Sequence, residues 1–419
     1  MAMTRLWHGF APMGAVDSAE FVLVRGDGAR VYDRDGREYL DATAGLWFCS
    51  VGHGRQEIAD AAAAQMATLA AHHCFGDHAN EPAIALADRI AALAPLEDGA
   101  VFFGSGGSDA VDTAGKLARR YWSLVGQPKR TVMISREHGY HGMHAYGTSL
   151  IGIPANLDGL GTLVGDTVRV RWDDPEDLEE AIDRYWDRTA AFIGEPIIGA
   201  GGVLEPPAGY WEEVRRICTE RDILMIQDEV ICGFGRLGTW FGAQRYGVQP
   251  DLITFAKGVT SGYLPLGGVI ASAKVREPFW ADGAPPFRHG YTYTGHPAVC
   301  AAAMANLDII EREGLVDRVR ELEPVLAAAL EPLRELPGVG DVRHVGLLGS
   351  VEFSAEARAT RPTIADEANI AARRHGVISR ALRGVALQLS PPFVSTPDEL
   401  QAMVDGIAAG IREVARSRV

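Results

Sequence analysis

The 419-residue chain reads as an α/β protein: a large, mostly parallel sheet covered by helices, with a smaller α+β domain made from the two ends of the chain. Three observations predict this. From about residue 100 to 295, apolar runs alternate with helical patterns, as in a parallel sheet covered on both faces. The runs TVMIS, AAFIGEP, ILMIQDE and LITFA are apolar almost throughout, as buried strands are. Beyond residue 296 the pattern changes to long helices over 297–335 and then to strand-like GVGDVRHVG and LLGSVEF. The expected division is an N-terminal segment 1–50 that joins the small domain, a large domain 51–300, and a C-terminal small domain 301–419.

In chain order, the first 20 residues carry few signals. Trp7 and Phe10 are expected to anchor them on the body of the protein or on a partner subunit. FVLVRG and ARVYDRDGREYLD read as strands, and Asp35-Gly36 is a turn signal, so residues 30–41 form a hairpin. DATAGLWFCSVGHGR reads as a loop. Residues 55–71 are alanine-rich and helical. Asn80 caps the next helix, with Pro82 in its first turn. VFF at 101–103 leads into a helix near Ser108, and helices follow over 175–187 and 209–221. After the C-terminal strands come a helix, two more strands and a last helix over about 397–416.

Composition narrows the function. The chain is 47% hydrophobic, ample for a large core, and no apolar run approaches the roughly 18 residues of a membrane span. MAMTRLWHGF lacks the basic-then-apolar pattern of a secretory signal. Cys49, Cys74, Cys218, Cys232 and Cys300 are scattered with no C-x-x-C pair, which suits a reduced cytoplasm and no zinc site. A net charge of −15, from 40 basic and 55 acidic residues, argues against nucleic acid as a partner.

The stretch from Ile223 to Lys257 organises the chemistry. ILMI runs into Asp228 and Glu229, and LITFA ends on Lys257. Ligands bind at the carboxyl ends of parallel strands. A carboxylate and a lysine there suit pyridoxal 5'-phosphate, whose aldehyde needs an amine and whose ring nitrogen needs an acidic partner. A buried ion pair, or two solvated strand ends, would leave the same residues. GSGGSDAVDT at 104–113 sits between a strand and a helix, where backbone N–H groups and the Ser108 hydroxyl suit a phosphate. It matches neither the dinucleotide fingerprint nor the P-loop, and a plain flexible turn reads the same. HGYHG at 138–142 places Tyr140 to lie flat on a heterocycle. Its histidines lack a third ligand at helical spacing, so no metal is expected. EPIIGAGG at 195–202 and HGYTYTGHP at 289–297 complete a set of four Gly-rich turns around one polar crevice.

These segments, with DATAGLW, QDEVICGFGRLG and TFAKG, resemble the class III pyridoxal-phosphate aminotransferases over essentially the full chain. Among these the chain most resembles the ω-transaminases of the amine–pyruvate and β-alanine–pyruvate group. The resemblance implies fold type I, with a seven-stranded type of large sheet. It implies that Lys257 is the Schiff-base lysine and that Asp228 pairs with the pyridine nitrogen. Tyr140 would stack on the ring and Val230 lie on its other face. Gly106, Gly107 and Ser108 would hold the phosphate, with His141 and Glu195 beside the cofactor. Thr292 would reach the neighbouring active site, making a homodimer, or a dimer of dimers, the active form. Trp47 would line the substrate pocket.

Ornithine- and GABA-type members carry a glutamate where this chain has Ala200 and a glutamine where it has Ile231. Their absence resembles the ω-transaminase arrangement, in which an arginine swings in for carboxylates and out for apolar groups. Arg380 matches that arginine. The segment before Pro391-Pro392 is one residue longer than usual, which leaves Arg383 as an alternative, and a surface arginine at a strand end as the plain reading. In the phosphate loop, Gly106 stands where the family has a hydroxyl residue, and Val111 replaces a polar one. AHHCFGDH after residue 70 is also unusual, and His72, His73 and Phe75 are placed to alter the pocket.

The expected function is transfer of an amino group from an amine or ω-amino acid to a keto acid, with pyruvate the expected acceptor, by a ping-pong mechanism, and the resemblance favours (S)-amines. An aminomutase or phospho-amine lyase would share the cofactor residues. A nucleotide-dependent oxidoreductase lacks its G-x-G-x-x-G here. A non-catalytic binding protein would have no need of Lys257, Asp228 and Tyr140 together.

Overall fold

The computed structural model describes residues 4–16 and 20–417. Its centre is a seven-stranded sheet of β4 (Ala100–Gly104), β5 (Val132–Arg136), β6 (Thr167–Val170), β7 (Thr189–Gly194), β8 (Leu224–Asp228), β9 (Leu252–Phe255) and β10 (Gly267–Ala271), in the order β4-β10-β9-β8-β7-β5-β6. Strands β5 to β9 pair in parallel, as the buried apolar runs predict. β10 is antiparallel to both β9 and β4. The link from Phe255 to Gly267 holds only a short 3₁₀ turn, Lys257–Val259, too little for the helical crossover that a parallel pair needs.

Every residue of β5, β7, β8, β9 and β10 is buried. The helix Gly107–Leu124 packs its apolar stripe, Ala110, Ala114, Leu117, Ala118 and Tyr121, on one face of the sheet. The helix Tyr210–Glu220 covers the other face with Trp211, Val214 and Ile217 against Phe192 and Met225. Full burial of one such side chain contributes about 1.5–3 kcal/mol, which fixes the strand ends on which the site is built.

Two smaller sheets flank this core. β1 (Leu23–Asp27), β2 (Arg30–Asp33) and β3 (Glu38–Asp41) form the expected hairpin and its neighbour, and β3 pairs in parallel with β13 (Val377–Ile378). The start of the chain is thereby hydrogen-bonded to its C-terminal part. β11 (Val339–Val345), β12 (Leu348–Phe353), β14 (Arg380–Leu382) and β15 (Ala386–Leu389) form an antiparallel sheet in the order β11-β12-β15-β14. The helix Pro397–Arg416 lies over the C-terminal core, with a capping box in which Thr396 and Glu399 bond reciprocally.

The structure corrects four details. The region expected as one helix and two strands holds helices Ala355–Thr360 and Ile364–Arg374 and three strands. Residues 44–47, expected as loop, make a tight helical turn with Gly45 at φ 67°. The helix expected over 55–71 ends at Thr68. Trp7 (85% exposed) and Phe10 (67%) do not anchor on the body of the chain. Among the described residues, no helix is long and apolar enough to cross a membrane. The five cysteines are free thiols.

Candidate active site

Asp228 is the last residue of β8, and Lys257 follows β9 by two positions. The parallel register sets Asp228 opposite Thr254, so both chemical groups leave the same edge of the sheet. Lys257 has φ 49°, an uncommon backbone for a residue with a Cβ, held at the start of the 3₁₀ turn. Asp228 and Lys257 line one cavity with Gly107, Ser108, Tyr140, His141, Glu195 and Val230. Eight of the residues expected from the sequence therefore meet in one place. Val111, Gly142 and Ile231 complete the wall.

Asp228 is locked from three sides. Its Oδ2 lies 2.8 Å from His141 Nδ1, and its Oδ1 accepts from Thr254 Oγ1 at 3.0 Å and from Val230 N–H at 3.2 Å. Glu195 is equally fixed: Oε1 accepts from Tyr140 N–H at 2.9 Å and Oε2 from Gly199 N–H at 3.0 Å. Buried Arg136 donates to the Glu195 carbonyl and lies over Trp211. Burial raises the Glu195 pKa, and the neighbouring Asp228 adds to the rise while His141 opposes it. Burial likewise pushes Glu229 up to about 7, although the Gly242 and Ala243 amides bond it at 2.8 and 2.7 Å. Glu229 is thus a strut between β8 and the loop beyond it.

Lys257 opens part of its surface to the cavity, yet protein surrounds it. That desolvation lowers its pKa, against the pull of Asp228 and Glu195. Burial raises the Tyr140 pKa, with Arg380 opposing. Burial also lowers the Arg380 pKa. Its guanidinium lies 5.4 Å from the Trp47 ring centroid and, among the described residues, has no hydrogen-bonded partner. Trp47 packs with Ile197 and Ile231, and Ile231 lines the cavity. Arg383 turns elsewhere: its Nη1 lies 3.2 Å from His138 Nδ1, beside Gly202. Of the two candidate arginines, Arg380 is the one beside the cavity.

The phosphate loop fits an anion. Gly107 and Ser108 begin an 18-residue helix whose first-turn amides have no partner within the helix. The backbone is held close by small residues: a Cβ on Gly107 would meet Val230 Cγ1 at 2.9 Å, and one on Gly142 would meet Ser108 Oγ at 2.6 Å. Ser108 Oγ accepts from Met143 N–H at 3.0 Å, which leaves its own proton to donate. Gly106 caps the helix in an extended conformation (φ 176°) beside Gly267. Thr292 is exposed, on a segment outside its own chain's cavity. A carboxylate, an amine, a flat aromatic residue and an anion cradle around one cavity are the groups that pyridoxal phosphate requires.

Thr254 and Gly142 escaped sequence reading. Thr254 was findable, since parallel pairing of ILMIQD with LITF sets it against Asp228. Ile231 and Val111, seen first as departures, prove to line the cavity itself.

Fold and site together define a fold type I pyridoxal-phosphate enzyme of the transaminase kind. The family described as Aminotransferase class-III matches residues 13–411, and the chain belongs to it. It is 42% identical to a probable aminotransferase of Mycobacterium tuberculosis, over 95% of this chain and 91% of that one. It is 38% identical to a beta-alanine–pyruvate aminotransferase of Pseudomonas aeruginosa, over 98% and 96%. An (S)-enantioselective omega-transaminase of Thermomicrobium roseum superposes with a TM-score of 0.93 at 39% identity, over 97% and 96% of the two chains. The chain is therefore an enzyme that uses pyridoxal phosphate.

Proposed function

We propose that this aminotransferase takes the amino group of an amine or ω-amino acid and delivers it to a keto acid, pyruvate foremost, in a ping-pong cycle. One observation carries the choice of substrate: Arg380 stands beside the cavity, on the face of Trp47, as a cation without a hydrogen-bonded partner among the described residues. Ala200 and Ile231, at the two positions the resemblance singled out, offer it no acidic or amide group. A keto-acid carboxylate is the partner that such a guanidinium lacks, and a bidentate, charge-assisted pair would orient it. An amine with an apolar group would fill the same space against Trp47 and Ile231.

Bound pyridoxal phosphate supplies an aldehyde that takes up amines and a ring that accepts the electron pair of a broken C–H bond. The residues supply the rest. The lowered pKa of Lys257 favours the neutral amine, so its Nζ can carry a proton away from the donor carbon and return it. Asp228, oriented by His141 and Thr254, is the acidic partner for a ring nitrogen. Tyr140 and Val230 are the flanking faces, and Gly107 and Ser108 the anion cradle, with Gly106 at its edge. Glu195 holds the Tyr140 loop in place. The beta-alanine–pyruvate relative supports the donor and acceptor classes, and the Thermomicrobium neighbour supports (S)-amines.

Exposed Leu6, Trp7, Phe10 and Tyr293 support assembly as a homodimer, with Thr292 completing a neighbour's phosphate site. The test is spectroscopic. An amine alone should bleach the visible band of the holoenzyme, and pyruvate should restore it. Product formation without bleaching favours a lyase or mutase. Restoration by 2-oxoglutarate but not by pyruvate overturns the acceptor.

A further inference from the structure

The segment AHHCFGDH, which the sequence placed to alter the pocket, lies outside the cavity's lining and folds His72, His73 and His78 into one cluster. One ring nitrogen of each lies within 4.8 Å of the others, and all three residues are exposed. His72 Nε2 is 3.0 Å from His78 Nδ1. The His72 and His73 rings stack at 4.6 Å between centroids, and His73 and His78 lie 4.6 Å apart. We propose that these three imidazoles bind a divalent transition metal of the zinc class, with water in the remaining position.

The chemistry selects the ion. Imidazole nitrogen suits zinc, nickel and copper, whereas magnesium and calcium take oxygen ligands. Zinc–nitrogen bonds of about 2.0–2.1 Å at tetrahedral angles set ligand nitrogens about 3.3–3.4 Å apart. The His72–His78 pair is already near that spacing, and the widest pair needs to close by up to about 1.5 Å, a movement open to exposed side chains on a loop. Metal would take the place of the hydrogen bond between His72 Nε2 and His78 Nδ1, with the displaced proton passing to the donor ring's other nitrogen. Asp77, with Oδ1 3.8 Å from His78 Nε2, adds a carboxylate beside that ring's other nitrogen.

The site is coupled to the segment that carries Thr292. Between His73 and His78, the Phe75 ring covers Gly290 so closely that a Cβ there would lie 2.6 Å from Phe75 Cε1. Phe75 N–H donates to His73 Nδ1 at 3.2 Å. At the end of the loop, Asn80 Nδ2 donates to the Gly295 carbonyl at 2.9 Å. A metal that fixes the three rings thereby clamps residues 71–79 on residues 289–295.

The experiment titrates ZnCl2 into tag-free holoenzyme by calorimetry, with MgCl2 as the control. His72→Asn and His78→Asn are measured beside the parent, each first shown to keep the parent's melting temperature and visible cofactor band without metal. Expected is one zinc per chain, no magnesium binding, and at least a tenfold loss of zinc affinity in each variant. No zinc binding by the parent, or equal binding by the variants, overturns the site. Hydrogen exchange on the parent tests the clamp: zinc should slow exchange in both 71–79 and 289–295. Slowing confined to 71–79 overturns the coupling.

Discussion

Asp228 Oδ2 and His141 Nδ1 lie 2.8 Å apart with both side chains buried, so the carboxylate at the end of β8 is aimed by a residue from the loop after β5. The carboxylate's other oxygen is held by Thr254 from β9. Two other segments thus fix this acid, and its direction is set before any ligand enters.

Replacing His141 by alanine should therefore damage both folding and catalysis. It removes a bond to a charged, buried group, worth about 1.5–3 kcal/mol. We expect a comparable loss of stability, and a fall in kcat/KM of about 10- to 100-fold at constant Lys257 chemistry. Denaturant titration and steady-state kinetics read the two effects. A variant within twofold of the parent in kcat/KM would show that Asp228 orients itself without His141.

The Lys257 amine makes a prediction about pH. Burial disfavours its ammonium form, so its pKa falls below the ordinary 10.5, although Asp228 and Glu195 pull the other way. Only the neutral amine attacks an aldehyde. When pyridoxal phosphate is added to apoenzyme, the rate of growth of the visible band should rise with pH and level off, with its midpoint below 10.5. A midpoint at or above that value contradicts the burial argument. Lys257→Ala should give no such covalent band and should lose turnover by about 10³-fold or more, on the scale of a missing acid–base group.

These two residues were the most legible part of the chain, for a physical reason. Buried parallel strands are short apolar runs, and a charge that ends such a run marks the edge where ligands bind. What supports the charges was harder to read. His141 and Thr254 act on Asp228 from other segments, and only strand register brings them together. The antiparallel β10 was hidden because GGVIA looks like any buried strand, and direction depends on the connection before it. The positive φ of Lys257 leaves no trace in composition. Arg380 and Arg383 are three residues apart in one pattern, and the turn between β14 and β15 decides which one faces Trp47.

Asn80 joins local structure to the segment that carries Thr292. Its Oδ1 accepts from Ala83 N–H at 3.0 Å as the cap of the helix Glu81–Leu93, and its Nδ2 holds the Gly295 carbonyl. Asn80→Ala should cost about 1 kcal/mol for the cap alone. Asn80→Asp keeps the cap acceptor but loses the donor to Gly295. It should retain most of the helix stability while loosening the 289–295 segment, read as faster hydrogen exchange there. Equal exchange in parent and Asn80→Asp would show that this bond does not restrain the segment.

On the proposed function, Arg380 should separate the two half-reactions. Its guanidinium is desolvated, stacked on Trp47 and without a hydrogen-bonded partner among the described residues. Arg380→Ala removes the group proposed to meet a carboxylate but none of the groups around Lys257. A charge-assisted contact is worth about 1.5–3 kcal/mol, or about 10- to 100-fold. The KM for pyruvate should rise by that factor, while the rate at which an amine without a carboxylate bleaches the holoenzyme changes little. Arg380→Lys keeps the charge but loses the planar fork and the stacking, so it should recover only part of the pyruvate affinity. Arg383→Ala is the control: that side chain faces His138 and should leave the pyruvate KM near the parent value. If Arg383→Ala raised the pyruvate KM and Arg380→Ala did not, the acceptor site would move to the His138 side of the cavity, and the role of the Trp47 face would pass to the amine alone.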